Sequence, residues 1–182
     1  VCSPGNPTGS VMPLDDWRLL FERADRHGFV IASDECSSEI YGDENAPPLG
    51  ALQAADRLGR GHQRLLAFSS LSKRSNLPGM RSGFVAGDPA LIAPFLKFRT
   101  YQGGAMSPVW QAASVAAWGD EAHVRANRQL YRDKYEAVMP LLAAPWQAIG
   151  RPEAAPRPPA GFYVWLEVPG GDDEAFTRRL ND

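Results

Sequence analysis

The sequence predicts an α/β fold, a mostly parallel sheet with flanking helices, followed by the start of a smaller α+β unit. Three observations predict it. Short apolar runs alternate with amphipathic stretches up to about residue 118, the order that builds a parallel α/β layer. Polar clusters follow the apolar runs, which places reactive side chains at strand ends, where such sheets bind ligands. Beyond residue 118 the alternation gives way to a long helical stretch and a proline-rich connector.

The elements follow in order. Residues 1–4 read as the end of a strand entering a loop. Trp17, Leu20, Phe21 and Ala24 recur at helical spacing, behind Asp15 and Asp16 and ahead of Gly28 as a stop. Residues 29–32 read as a buried strand ending at Ser33, Asp34 and Glu35. Loop is expected from there to about Gly61, because Pro47, Pro48 and several Gly and Asp residues punctuate it. Residues 65–68 read as the next strand and 83–87 as a third. Asp88 as N-cap and Pro89 at the first helical position open a helix to about Phe98. Residues 101–108 form a loop around Gly103 and Gly104, and helices are expected over 109–118 and 121–142. The second carries Val124, Leu130, Tyr131, Tyr135, Val138 and Leu141 at roughly helical spacing. Pro145, Pro152, Pro156, Pro158 and Pro159 read as a connector, since prolines oppose a helix interior. Aromatic and β-branched residues make 161–168 a strand, and 172–180 reads as a helix.

Bulk composition narrows the function classes. A formal charge of −2 gives no electrostatic reason to expect nucleic acid or an anionic membrane as partner. No apolar run approaches the length of a membrane span. Cys2 and Cys36 make neither a disulfide framework nor a metal cluster, so reduced structural thiols in a cytoplasmic compartment are expected. No metal site is predicted, and His27, His62 and His123 have no partners at ligand spacing. Trp17, Trp110, Trp118, Trp146 and Trp165 read as packing residues. The chain starts at Val1 with no initiator Met, and its first residues read as the end of a strand, so a fragment lacking both ends of a longer protein is expected.

Chemistry concentrates after the 65–68 run. Lys73 follows Ser69, Ser70 and Ser72, and Arg81 lies eight residues on. A lysine in a confined site can lose its proton and form an imine with an aldehyde. Small hydroxyls and an arginine are the groups that hold a phosphate beside it. Two further clusters end apolar segments: the NPTG tetrapeptide that begins at Asn6, and Asp34 with its neighbours, 28 residues later.

Together these three motifs, in this order and spacing, resemble the class I and II aminotransferases, fold-type I enzymes that use pyridoxal 5′-phosphate (PLP). The resemblance covers essentially the whole chain. It implies that Lys73 carries PLP as an imine and moves protons between substrate Cα and cofactor C4′. It implies that Asp34 pairs with the pyridine nitrogen, that Asn6 orients the ring through its 3-oxygen, and that Ser70, Ser72 and Arg81 bind the phosphate. Residues 1–125 then correspond to the C-terminal part of the PLP-binding large domain, and 126–182 to a connecting helix and the start of the small domain.

The stretches at 34–41, 101–108 and 117–124 look most like N-succinyldiaminopimelate aminotransferases of bacterial lysine and cell-wall synthesis. That resemblance implies amino transfer between N-succinyl-LL-2,6-diaminopimelate and 2-oxoglutarate in a homodimer, with Tyr101 and Ser107 contacting substrate across the subunit boundary. Cystathionine-type β-lyases share the same motifs, as do PLP-sensing regulators that bind cofactor without turnover. One position departs from the family pattern: where a tyrosine usually follows the acid by three residues, this chain has Ser37, and Tyr41 is expected to pack elsewhere. The family's earlier phosphate loop and ring-stacking aromatic are expected before Val1, and its carboxylate-binding arginine after Asp182. Arg178 and Arg179 are not assigned that role, and this chain by itself is expected to be a poor catalyst.

Overall fold

The structure, a computed structural model, describes residues 1–148 and 157–181. Helix α1 (Leu14–His27) follows the predicted apolar face: Trp17, Phe21 and Ala24 are buried, and Gly28 ends the helix in the left-handed conformation at φ 73°. Glycine meets that requirement without a Cβ penalty. Strand β1 (Ile31–Asp34) begins two residues later than the apolar run suggested, because Phe29 and Val30 are exposed and the ladder starts at Ile31.

The expected loop between Asp34 and Gly61 contains a helix, α2 (Ala51–Arg57). Ala51, Ala54, Ala55 and Leu58 stand at i, i+3, i+4 and i+7, and the three alanines are fully buried against α1. Small side chains let the two helices approach closely over Trp17, Phe21, Ile31 and Leu65, which complete the main core. The α2 N-terminus is held from the sheet: Glu35 Oε1 accepts the Ala51 N–H at 2.7 Å and the Ser33 hydroxyl at 2.9 Å.

Strands β2 (Leu65–Ser70) and β3 (Gly83–Gly87) complete a three-stranded sheet of order β1-β2-β3. β1 and β2 are parallel, from Ile31↔Leu65 to Asp34↔Phe68. β2 and β3 are antiparallel, so the sheet is mixed and not mostly parallel. The connection explains the difference. Residues 71–82 hold only the one-turn helix α3 (Leu71–Arg74) and a 3-10 turn, with no crossover helix to carry the chain back across the sheet. The chain therefore reverses at the edge where β2 ends, and Ser70 pairs with Gly83.

Helix α4 (Pro89–Gln102) begins as predicted, with the Asp88 side chain accepting the Ala90 N–H at 2.9 Å. α5 (Pro108–Gly119) also lies where expected. α6 (Ala122–Ala148) runs six residues past its predicted end and contains both Pro140 and Pro145, so Pro145 belongs to helix and not to a connector. Its burial also differs from the predicted apolar face: Val124 and Arg128 are buried, while Leu130 and Leu141 are exposed. Of the other connector prolines, Pro158 and Pro159 lie in irregular chain, and Pro152 and Pro156 fall outside the described residues.

Residues 161–168 form no strand. Their exposure alternates along the chain as a strand's would, yet only Ala160 bridges to Tyr41, and no partner strand lies beside them among the described residues. α7 (Asp173–Asn181) matches the predicted final helix. Among the tryptophans, Trp17 is fully buried and Trp118 packs on Phe84, but Trp110 and Trp165 are half-exposed, contrary to a packing role for all five.

Candidate active site

Three chain segments leave the sheet at one edge. β1 and β2 run parallel, so Asp34 and Ser70 end at the same side. Cys2 bridges Asp34, again in parallel, and the backbone closes the arrangement. Ser3 N–H donates to Asp34 O at 3.1 Å, Asp34 N–H to Val1 O at 2.9 Å, and Glu35 N–H to Phe68 O at 2.9 Å. The loop carrying Asn6, the turn after Asp34 and the segment carrying Ser70, Ser72 and Lys73 therefore share one rim.

On that rim Asp34 is exposed, and its Oδ1 accepts the Cys36 N–H at 3.0 Å. Burial, and after it the adjacent Asp34 carboxylate, push the Cys36 thiol up to about 12, so it stays protonated at neutral pH. Cys2 is a free thiol but exposed, against the structural role expected of it, and its Sγ lies 3.1 Å from Pro4 O. Ser37 is half-buried in the following turn, where its carbonyl accepts the Ile40 N–H. Tyr41 packs elsewhere, as expected: its ring lies 4.1 Å beneath the Arg128 guanidinium.

Ser70 is the N-cap of α3. Its Oγ accepts the Ser72 N–H at 3.1 Å, sits 2.8 Å from Ser72 Oγ and donates to Ser82 O at 2.9 Å. Both hydroxyls thus face the first turn of α3, whose third residue is Lys73. Arg81 follows the 3-10 turn in a left-handed conformation at φ 54°, is exposed, and donates from Nη1 to Pro78 O at 2.9 Å. That backbone state costs a residue with a Cβ roughly 1–2 kcal/mol, and such strain collects at ligand-binding positions. Asn6 is exposed in its loop. Tyr101 lies in the last turn of α4, which runs to Gln102 and so shortens the loop expected from residue 101, and Ser107 is the N-cap of α5. Both are exposed, and they share no hydrogen bond with the Lys73 group among the described residues.

Lys73 is surrounded from parts of the chain that motif reading did not supply. Its Nζ lies 4.6 Å from the centre of the Phe162 ring. Its backbone carbonyl accepts from Asn127 Nδ2 at 3.1 Å. Neighbouring Arg74 is buried, lies 5.0 Å over Trp118, donates to Ala117 O at 3.0 Å and pairs with Glu121. The segment that brings Phe162 in is packed on the NPTG loop. Gly9 has φ 69°, and a Cβ there would strike Ala160 O and Pro158 Cβ. Only glycine allows that approach.

A cavity of about 330 Å³ is lined by Glu35, Tyr41, Phe68, Ser69, Arg74 and Trp118 among others, and by none of the six motif residues. Burial raises the Glu35 carboxyl, with the Ala51 N–H and the Ser33 hydroxyl opposing. The rim, and not this cavity, unites the groups with complementary chemistry: one amine, one carboxylate, paired hydroxyls and a guanidinium.

The family profile described as aminotransferase class I and II matches residues 1–182. The chain belongs to the class I and II aminotransferase family. A crystal structure of an aminotransferase from Neisseria meningitidis is similar at 58% identity and a TM-score of 0.89, over 99% of this chain and 44% of that one. A 4-dedimethylamino-4-oxo-anhydrotetracycline transaminase of Streptomyces rimosus is 43% identical over 163 residues, 90% of this chain and 43% of that protein. An LL-diaminopimelate aminotransferase of Nitratidesulfovibrio vulgaris is 30% identical over 169 residues, 92% of this chain and 41% of that protein. The chain thus spans less than half the length of each.

Class I and II aminotransferases use PLP, and the donor set on the rim fits that cofactor. A phosphate needs the hydroxyls and the guanidinium, a protonated pyridine needs the carboxylate, and an aldehyde needs the amine. Among the described residues no group of His, Cys, Asp and Glu could hold a metal ion, and no helix is long and apolar enough to cross a membrane.

Proposed function

We propose that the protein containing this chain is a PLP-dependent aminotransferase that moves an amino group between an amino acid and 2-oxoglutarate. The observation that carries this reading is the common rim: the parallel Cys2, Asp34 and Phe68 register brings three separate motifs to one edge of the sheet.

Bound PLP supplies an electron sink for the pair released at substrate Cα. This chain's residues would do the rest. Lys73 Nζ would hold the cofactor covalently and would serve as the base and acid that moves the proton released at substrate Cα. The Asp34 carboxylate keeps a proton on the pyridine nitrogen. Ser70, Ser72 and Arg81 hold the phosphate, with the arginine offering two parallel donors. The Asn6 amide fixes the ring's rotation. Phe162 covers the amine and limits the water that reaches it. Residues 1–125 belong in this reading to the cofactor domain, with α6 leading into a smaller domain. In a homodimer Tyr101 and Ser107 reach the substrate of the neighbouring subunit.

For the amino donor, relatives named as LL-diaminopimelate aminotransferases support a diaminopimelate skeleton, and resemblance at 34–41, 101–108 and 117–124 favours the N-succinyl form in lysine biosynthesis. The relative named as a 4-dedimethylamino-4-oxo-anhydrotetracycline transaminase means that family membership alone does not choose the substrate. The test is a coupled assay on the full-length protein, offering LL-diaminopimelate and its N-succinyl derivative as donors with 2-oxoglutarate. Glutamate formation with the succinylated donor at the higher kcat/KM is expected. Release of thiol and ammonia from cystathionine without glutamate formation would replace this reading with a β-lyase. PLP binding without any turnover would replace it with a sensor domain.

A further inference from the structure

One face of α6 reaches Lys73 from two directions. Asn127, Tyr131 and Tyr135 are spaced four residues apart and so stack along one side of the helix. Asn127 Nδ2 donates to Lys73 O at 3.1 Å and lies 3.5 Å from Arg74 O, where it satisfies carbonyls at the open end of α3. The Tyr131 ring centre lies 6.0 Å from that of Phe162. The Tyr135 hydroxyl lies 2.9 Å from Tyr163 O and 3.3 Å from Gly161 O, the carbonyls on either side of Phe162. Burial pushes that hydroxyl up, with the Arg157 guanidinium opposing, so at neutral pH it remains a donor. Phe162 is in turn the ring that faces Lys73 Nζ at 4.6 Å. The same helix face thus fixes the backbone of the lysine and the wall against which its amine rests.

We propose that the Asn127, Tyr131 and Tyr135 face of α6 is a positioning device for the Lys73 amine, holding Nζ where it can meet the aldehyde carbon of PLP. This rests on the reading of Lys73 as the cofactor-bearing lysine. Asn127 acts through the Lys73 carbonyl, and Tyr135 acts through Phe162. Capture joins Nζ to the aldehyde carbon through a double bond and releases the aldehyde oxygen as water with the amine's protons. A mispositioned amine therefore weakens capture while leaving the contacts to ring and phosphate in place.

Two ligands separate those contributions. PLP carries the aldehyde; pyridoxamine 5′-phosphate has the same ring and phosphate without it. Dissociation constants for both are measured on the full-length protein and on its Asn127→Ala, Tyr135→Phe and Lys73→Ala variants. Asn127→Ala and Tyr135→Phe are each expected to weaken PLP about fivefold, the worth of one neutral hydrogen bond, and to leave pyridoxamine 5′-phosphate unchanged. Tyr135→Phe keeps its ring, so its packing survives. Lys73→Ala is expected to abolish the preference for PLP; if the preference stays intact, the assignment of Lys73 falls and the positioning role with it. If Lys73→Ala removes the preference while Asn127→Ala and Tyr135→Phe keep it, or weaken both ligands equally, Lys73 stands and the positioning role of α6 is overturned.

Discussion

Replacing Gly9 by alanine tests whether the segment carrying Phe162 is seated on the NPTG loop. Two costs add at this position. Gly9 has φ 69°, a conformation that costs a residue with a Cβ roughly 1–2 kcal/mol. The new methyl would also meet Ala160 O and Pro158 Cβ. That segment cannot simply step aside. Pro159 O accepts the Gly42 N–H at 3.2 Å, the Gly161 N–H donates to Ile40 O at 2.8 Å, and Tyr135 holds Tyr163 O. Forcing a methyl into such a contact costs about 1–3 kcal/mol, so the total is roughly 2–5 kcal/mol. Gly59 supplies the control: its φ is 65°, and nothing lies within 4 Å of a Cβ built there. Urea unfolding of the full-length protein should show Gly9→Ala losing roughly 1–3 kcal/mol more than Gly59→Ala. Pushing Phe162 away from Lys73 should also reduce the preference for PLP over pyridoxamine 5′-phosphate. Equal losses for the two alanine variants would show that residues 158–161 do not rest on the NPTG loop.

Two further outcomes follow from single side chains. Glu35 has its carboxyl raised above the ordinary 4.5, mainly by burial, so the fold favours its protonated form. Its contribution to stability is complete below that value and is lost as pH rises through the raised one. Glu35→Gln keeps an oxygen for Ala51 N–H and Ser33, so it should gain stability relative to the parent between pH 4.5 and neutrality in urea melts; a constant difference across that window contradicts the account. If the proposed cofactor site is right, Ser37→Tyr adds a phenol in the turn after Asp34 and should lower the pH midpoint of the bound cofactor's visible band by up to about one unit, whereas coincident titrations of the two proteins would remove any role for position 37.

Much of this was legible because local chemistry repeats itself. The apolar face of α1 with its Gly28 stop, and the Asp88 and Pro89 start of α4, are short-range patterns that packing then uses unchanged. Asn6, Asp34 and Lys73 were readable as strand-end groups, and β1 and β2 do end together. What escaped depended on pairing over distance. The direction of β3 is decided by whether residues 71–82 contain a crossover helix, which apolar runs do not reveal. Residues 161–168 carry a strand's alternation without a neighbouring strand to complete it. The helical spacing of Ala51, Ala54, Ala55 and Leu58 was present in the sequence, but Pro47, Pro48 and Gly50 masked it as loop. The contacts of Asn127 and Phe162 with Lys73 span 54 and 89 positions of sequence, and no local pattern announces them.

The central claim is that Lys73 holds the cofactor. The chain has three lysines, Lys73, Lys97 and Lys134. Lys97 is exposed on α4, and the Lys134 ammonium rests 4.7 Å from the ring of Tyr131. Reducing the PLP-loaded full-length protein with borohydride and mapping the modified peptide decides among these lysines and any elsewhere in the protein. The account predicts a single pyridoxyl group on Lys73; a pyridoxyl group on any other lysine, with Lys73 unmodified, contradicts it.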